Sequence, residues 1–165
     1  MKVLWAPWRM EYVLGQKEPG CPFCPAEVDL PDEDRLILYA DSQTLVIMNK
    51  FPYNTGHLLV CPRRHVPELH DLGDQELLAL QKMVRDCLEI LRKVMQPDGF
   101  NVGLNLGRVA GAGIPEHLHY QIVPRWQGDV NFMTVFADIR VVPEHILATY
   151  RRLFPHFEKL RSHAD

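Results

Sequence analysis

Between Asp74 and Met95 the apolar residues change period: Leu77, Leu80, Val84, Leu88, Leu91 and Met95 recur at three- and four-residue steps. That spacing gathers them into one stripe and predicts an amphipathic helix. Asp74 and Glu76 in its first turn and Arg92 and Lys93 in its last suit the helix dipole, and Pro97 and Gly99 end it. The flanking segments are shorter and β-rich. "LILYA" (36–40) and "TLVIMNK" (44–50), divided by Asp41-Ser42, read as a hairpin. "FPYNTGH" carries turn residues, and "HLLVCP" (57–62) is a third, largely buried strand. Beyond the helix, "GFNVGLNLG" (99–107) and "HLHYQIVP" (117–124) give two more strands around the glycine-bearing loop "GRVAGAGIPE". The tail from Pro143 to Arg161 reads as a second helix. The order β-β-β-α-β-β-α favours an α+β fold, an antiparallel sheet of about five strands with one long central helix and a C-terminal helix, over a doubly wound parallel sheet.

A chain of 165 residues is sized for one domain. With a net charge of −3 and no basic stripe, neither a nucleic acid nor a membrane surface is an expected partner. No apolar run approaches the ~20 residues of a membrane span. The start, "MKVLWAPWRMEYVLG", is broken by Pro7 and charged at Arg9 and Glu11, unlike a signal peptide. The loop "GQKEPGCPFCPAEVDLPDED" carries the close pair Cys21 and Cys24. Without an export signal, four cysteines suit a reducing cytoplasm, where such a pair binds metal or does redox work rather than forming a structural disulfide.

In "EHLHYQIVPRW" (116–126), His117, His119 and Gln121 alternate with Leu118, Tyr120 and Ile122. On a strand the first three share one face and the second three the other. Taken alone, the histidines serve equally as the polar side of a half-exposed strand or as a functional face. A second cluster, "NKFPYNTGHLLVCPRRH" (49–65), sets His57 behind a glycine at the start of a strand and His65 just past its end.

Together these two stretches resemble the histidine-triad (HIT) superfamily of nucleotidyl hydrolases and transferases, over about Cys21 to Arg125. "LWAPWRMEYV", "GAGIPEHLH" and "PRWQGDVNF" are similar to its prokaryotic diadenosine tetraphosphate phosphorylase-like branch. The resemblance implies a single HIT domain over 1–165, with an N-terminal extension (1–20) and a C-terminal extension (126–165) that packs on the domain or a dimer partner. It also implies a homodimer through edge strands, and it makes His119 the nucleophile that takes up a nucleotidyl group. His117, Gln121 and His57 complete the catalytic set. It further implies a structural zinc on Cys21, Cys24, His65 and His117, with no organic cofactor, and a ribose contact from Asn49, a residue that also suits a turn.

A neutral imidazole can attack a phosphorus only if its other nitrogen carries the proton, so His119 needs a fixed acceptor, such as a backbone carbonyl. Gln121 can donate to a phosphoryl oxygen but cannot shuttle protons. That favours a stable leaving group and an acceptor that is already an anion, with inorganic phosphate ahead of water. The family's hydrolases often place a hydroxyl residue three before the first motif histidine, where this chain has Ile114. Asn105 and the N–H groups of Gly111 to Gly113 are candidates to meet phosphate oxygens. Arg63, Arg64 and Arg125 either bind a polyphosphate tail or sit as solvated surface charges. Trp5, Trp8 and Trp126 either stack on adenine or pack in the core or dimer. The resulting expectation is phosphorolysis of a dinucleoside polyphosphate, diadenosine tetraphosphate plus phosphate giving ADP and ATP. The alternatives are hydrolysis of such a substrate or of a nucleoside phosphoramidate to AMP, and a non-enzymatic dinucleotide sensor.

Overall fold

The computed structural model describes residues 20–24, 32–129 and 144–161. Trp5, Trp8 and the rest of the expected N-terminal extension before Gly20 lie outside these residues, as does the stretch 130–143. Among the described residues the elements follow the expected order: β1 (Ile37–Ala40), β2 (Thr44–Met48), β3 (Leu58–Pro62), α1 (Asp74–Met95), β4 (Gly99–Leu104), β5 (Tyr120–Arg125) and α2 (Ile146–Arg161). The strands form one antiparallel sheet in the order β1-β2-β3-β5-β4. Asp41 closes the first hairpin, its Oδ1 accepting the N–H groups of Gln43 (2.8 Å) and Thr44 (2.6 Å).

Strand register sorts side chains onto two faces. Val46, Val60 and Tyr120 lie in line across β2, β3 and β5. The Tyr120 hydroxyl accepts a bond from Gln81 of α1, so this is the helix-covered face. Ile47, Leu59, Gln121 and Gly103 are in line one residue on, and therefore face the opposite way.

The buried stripe of α1 is broader than the expected one. It comprises Leu80, Met83, Val84, Cys87, Ile90 and Leu91, while Leu77, Leu88 and Met95 are only half-buried. The helix packs on β3 and β5 and also against α2, and two neighbours bury more of its circumference than one. α2 seals the other end of the sheet with Leu153 and Phe157, both fully buried, and the Tyr150 hydroxyl donates to the Ile37 carbonyl at 2.9 Å. Behind α1, Gly56 sits at φ +78°, and a Cβ there would lie 2.6 Å from Met95 Sδ. Only glycine lets the turn before β3 approach α1 so closely.

The last strand begins at Tyr120 rather than at His117 as the alternation predicts. Backbone pairing to β3 stops at Tyr120 and Val60. Beyond that point the ladder is replaced: the Leu118 N–H donates to Val66 O (2.7 Å), and the His117 ring takes the Pro62 carbonyl. At the other end, Pro124 is tolerated inside β5 because β3 begins at Leu58, opposite Ile122. The Pro124 carbonyl is met there by the Asn54 side chain at 3.1 Å.

Candidate active site

His119 is buried, with 7% of its surface exposed, and its Nδ1 lies 2.9 Å from the His117 carbonyl. A carbonyl only accepts, so Nδ1 carries the proton and the neutral ring keeps its lone pair on Nε2. That is the tautomer a nucleophile needs. Gln121 follows on the same face, between Leu59 of β3 and Gly103 of β4. Nothing stands within 4 Å of the place a Gly103 Cβ would occupy, so the face is open beside the Gln121 amide.

His117 is fully buried and set the other way round. Its Nε2–H donates to Pro62 O at 2.9 Å, which leaves the Nδ1 lone pair pointing at Cys21 Sγ (3.4 Å) and Cys24 Sγ (3.3 Å). His65 Nδ1 is 3.3 Å from Cys24 Sγ. These four donor atoms all lie within 4.8 Å of one another. Bonds of ~2.3 Å to sulfur and ~2.0–2.1 Å to nitrogen at a tetrahedral angle give an S···N edge of ~3.5 Å, so the group matches a tetrahedral cation site. Burial, with Cys24 alongside, pushes the Cys21 thiol up to about 11, and burial also lowers the proton affinity of His117. A divalent cation would offset the first effect by favouring the thiolate, and the second already keeps the imidazole in the neutral form that binds a cation. Both His117 nitrogens face protein groups, and its backbone carbonyl is what meets His119. His70, a nearby histidine, lies in the 3₁₀ turn Leu69–Asp71, outside this group.

His57 has a third arrangement. Its Nδ1 receives the Tyr53 N–H (3.1 Å) and faces Asn49 Nδ2 at 3.2 Å, so the neutral ring is protonated on Nε2. The Tyr53 ring stacks on it with centroids 5.0 Å apart. Asn49 Oδ1 accepts the Phe51 N–H at 2.9 Å, so the asparagine shapes the turn as well as standing on the face where a ribose contact is expected. Between Asn49, His57 and Gln121 lie Ile47, Leu59 and Val123, each with 9% of its surface exposed, an apolar floor framed by polar groups.

The glycine loop is more self-contained than expected. Gly111 N–H donates to Arg108 O (3.0 Å), Ala112 N–H to Gly107 O (3.3 Å), and Asn105 Nδ2 to Gly111 O (3.4 Å). Gly111 and Asn105 thus close the loop on itself, and of the three expected N–H donors only Gly113 is outside these bonds. The arginines also have protein partners. Arg63 reaches Asp41 O, Arg64 grips Glu76, and Arg125 pairs with both Asp129 oxygens (2.6 and 2.8 Å) and Asn101 Oδ1 (2.7 Å). Arg125 is six residues along from His119, ~20 Å at strand rise, so it stands away from the nucleophile. Trp126, half-buried, gives its N–H to Asp129 Oδ2 at 3.2 Å.

Two functional placements escaped the sequence reading. Asn54 Nδ2 bonds Asp129 Oδ2 at 2.9 Å, so Asp129 holds Arg125 and the turn that carries Tyr53 and His57. "FPYNTGH" and "PRWQGD" mark turns, but no local signal pairs two turns some 75 positions apart. Phe23, inside the Cys-x-x-Cys, packs on both His117 (5.4 Å between ring centroids) and His119 (5.0 Å).

The HIT domain family matches residues 31–128, and the chain belongs to that family. It is 39% identical over 158 residues to an AP-4-A phosphorylase of Mycobacterium tuberculosis, covering 91% of this chain and 81% of that protein. It is also 36% identical over 93 residues to the asymmetrical bis(5′-nucleosyl)-tetraphosphatase of Schizosaccharomyces pombe, covering 56% of this chain and 50% of that one. Among solved structures, a Zn-bound histidine triad family protein from Mycobacterium smegmatis aligns with TM-score 0.61 and 26% identity, over 78% of this chain and 87% of that one.

Proposed function

We propose that this chain is a dinucleoside polyphosphate phosphorylase that converts diadenosine tetraphosphate and phosphate to ADP and ATP. The observation that carries the reading is the bond from His119 Nδ1–H to the His117 carbonyl, which leaves Nε2 nucleophilic. In the first step Nε2 attacks the α-phosphorus. A P–N bond forms, the P–O bond to the distal part breaks, and its electron pair leaves with ATP. In the second step an oxygen of inorganic phosphate attacks the same phosphorus, the P–N bond breaks, and ADP departs. Splitting one displacement into two is the gain of covalent catalysis. Gln121 donates to a non-bridging oxygen as charge gathers there, and the His57 Nε2–H offers a second donor. Asn49 keeps one amide proton for a ribose hydroxyl, and Ile47, Leu59 and Val123 carry the nucleoside.

Cys21, Cys24, His65 and His117 hold a structural zinc on this reading. Four protein ligands leave no open position for a reacting water, so the ion's contribution is to shape the site. Homodimer formation through β4 is supported by the exposure of Asn101, Val102 and Gly103 on that edge strand. No helix among the described residues is long and apolar enough to cross a membrane. The test is to incubate the protein with diadenosine tetraphosphate with and without phosphate. Phosphate-dependent ADP is expected. AMP formed equally in both would make the chain a hydrolase, and binding without turnover would make it a sensor.

A further inference from the structure

We propose that Phe23 is a positioning residue that couples occupancy of the Cys₂His₂ cluster to the orientation of the nucleophilic His119 ring. This rests on the reading of His119 above and names the side chain through which the cluster reaches it. Cys21 to Cys24 form a turn closed by the bond from Cys24 N–H to Cys21 O (3.0 Å). Pro22 points to solvent, both sulfurs point at His117 Nδ1, and Phe23 points inward with only 2% of its surface exposed. Its ring meets His117 edge-on at 80° and lies tilted at 46° to His119, 5.0 Å away.

His119 is thus restrained by two contacts from the same assembly. One is the His117 carbonyl, whose residue is a cluster ligand. The other is Phe23, which lies between the two cysteine ligands in the turn. The carbonyl bond selects the tautomer and holds the Cβ–Cγ torsion only through one hydrogen bond, and torsions of this kind have broad, soft wells. A flat aromatic side chain against the ring removes that freedom, and productive attack needs the reacting atoms aligned at ~3–3.5 Å. When the cluster holds its ion the turn is locked and Phe23 stays seated. When the ligands separate, Phe23 loses its anchor and His119 loses its second restraint.

The experiment compares wild type with Phe23→Leu, which stays apolar but lacks the ring, each zinc-loaded and chelator-stripped. Zinc content, the single-turnover rate of His119 adenylylation and the imidazole ¹H–¹⁵N spectrum of His119 are read together. The expected result is a fall of about tenfold in rate on stripping wild type, in line with modest misalignment. Loaded Phe23→Leu should be slowed similarly with its zinc content and KM retained, and stripping it should add less than about twofold. The His119 signals of loaded Phe23→Leu should match those of stripped wild type. A loaded variant indistinguishable from loaded wild type, or a stripping effect of equal size in both proteins, overturns the proposal. So does a variant that loses zinc while its His119 signals are unchanged. Phe23→Met takes the place of the leucine variant if that does not fold. Should wild type form no nucleotidyl adduct, the reading of His119 fails separately, and the spectra still decide the coupling.

Discussion

His119 and His57 point from the same face of one sheet, yet their surroundings protonate opposite nitrogens. His119 Nδ1 meets a carbonyl and must donate, so Nε2 is bare. His57 Nδ1 meets the Tyr53 N–H and must accept, so Nε2 carries the hydrogen. His117 shows a third setting, donating from Nε2 to Pro62 O so that Nδ1 is bare toward the cysteines. On the proposed reading, the same side chain serves as nucleophile, hydrogen-bond donor or metal ligand according to which backbone group it meets. These settings do not depend on a charged neighbour, because each is imposed by a rigid backbone group on a buried ring.

The comparison can be broken at either end. If His57 serves as an Nε2–H donor, its removal by His57→Ala should lower kcat by about 10²-fold, the usual loss for one preorganised donor. His57→Gln, which keeps an amide N–H, should recover about tenfold of that. Equal losses in the two variants would assign His57 to packing. A smaller effect is expected from Asp129→Asn, which weakens the grip on Arg125 and on the Asn54 turn behind His57. KM for the dinucleotide should rise about three- to tenfold, the scale of losing a single hydrogen bond, while the rate of His119 adenylylation at saturation changes less than twofold. A fall in that saturated rate instead would mean that the two ends of the groove are not independent.

Much of the frame was legible because it depends on local periodicity. The change of apolar spacing at Asp74 marked α1, and alternation with turn residues marked the strands. The Cys21-x-x-Cys24 spacing marked half of the cluster and the family resemblance supplied His65 and His117, and the four do converge. The start of β5 was not legible, because Leu118 and His117 give up the strand ladder for Val66 O and Pro62 O, partners that no alternation encodes. The partners of the arginines were not legible for a related reason. A guanidinium has the same sequence signature whether it meets a phosphate or a carboxylate, and only the fold shows Arg125 on Asp129 and Arg64 on Glu76. The Glu76 carboxyl, held by Arg64 and the Gly73 N–H, drops to about 2, a surface pairing with no part in the groove. Phe23 was hidden because the cysteines on either side of it explain the motif without it.

The central claim is that backbone groups assign the histidine tautomers, and long-range ¹H–¹⁵N correlation of the imidazole rings measures this directly in zinc-loaded protein at neutral pH. The account predicts a proton on Nδ1 of His119 and on Nε2 of both His57 and His117. A His119 ring protonated on Nε2, or exchanging freely between the two forms, would contradict it.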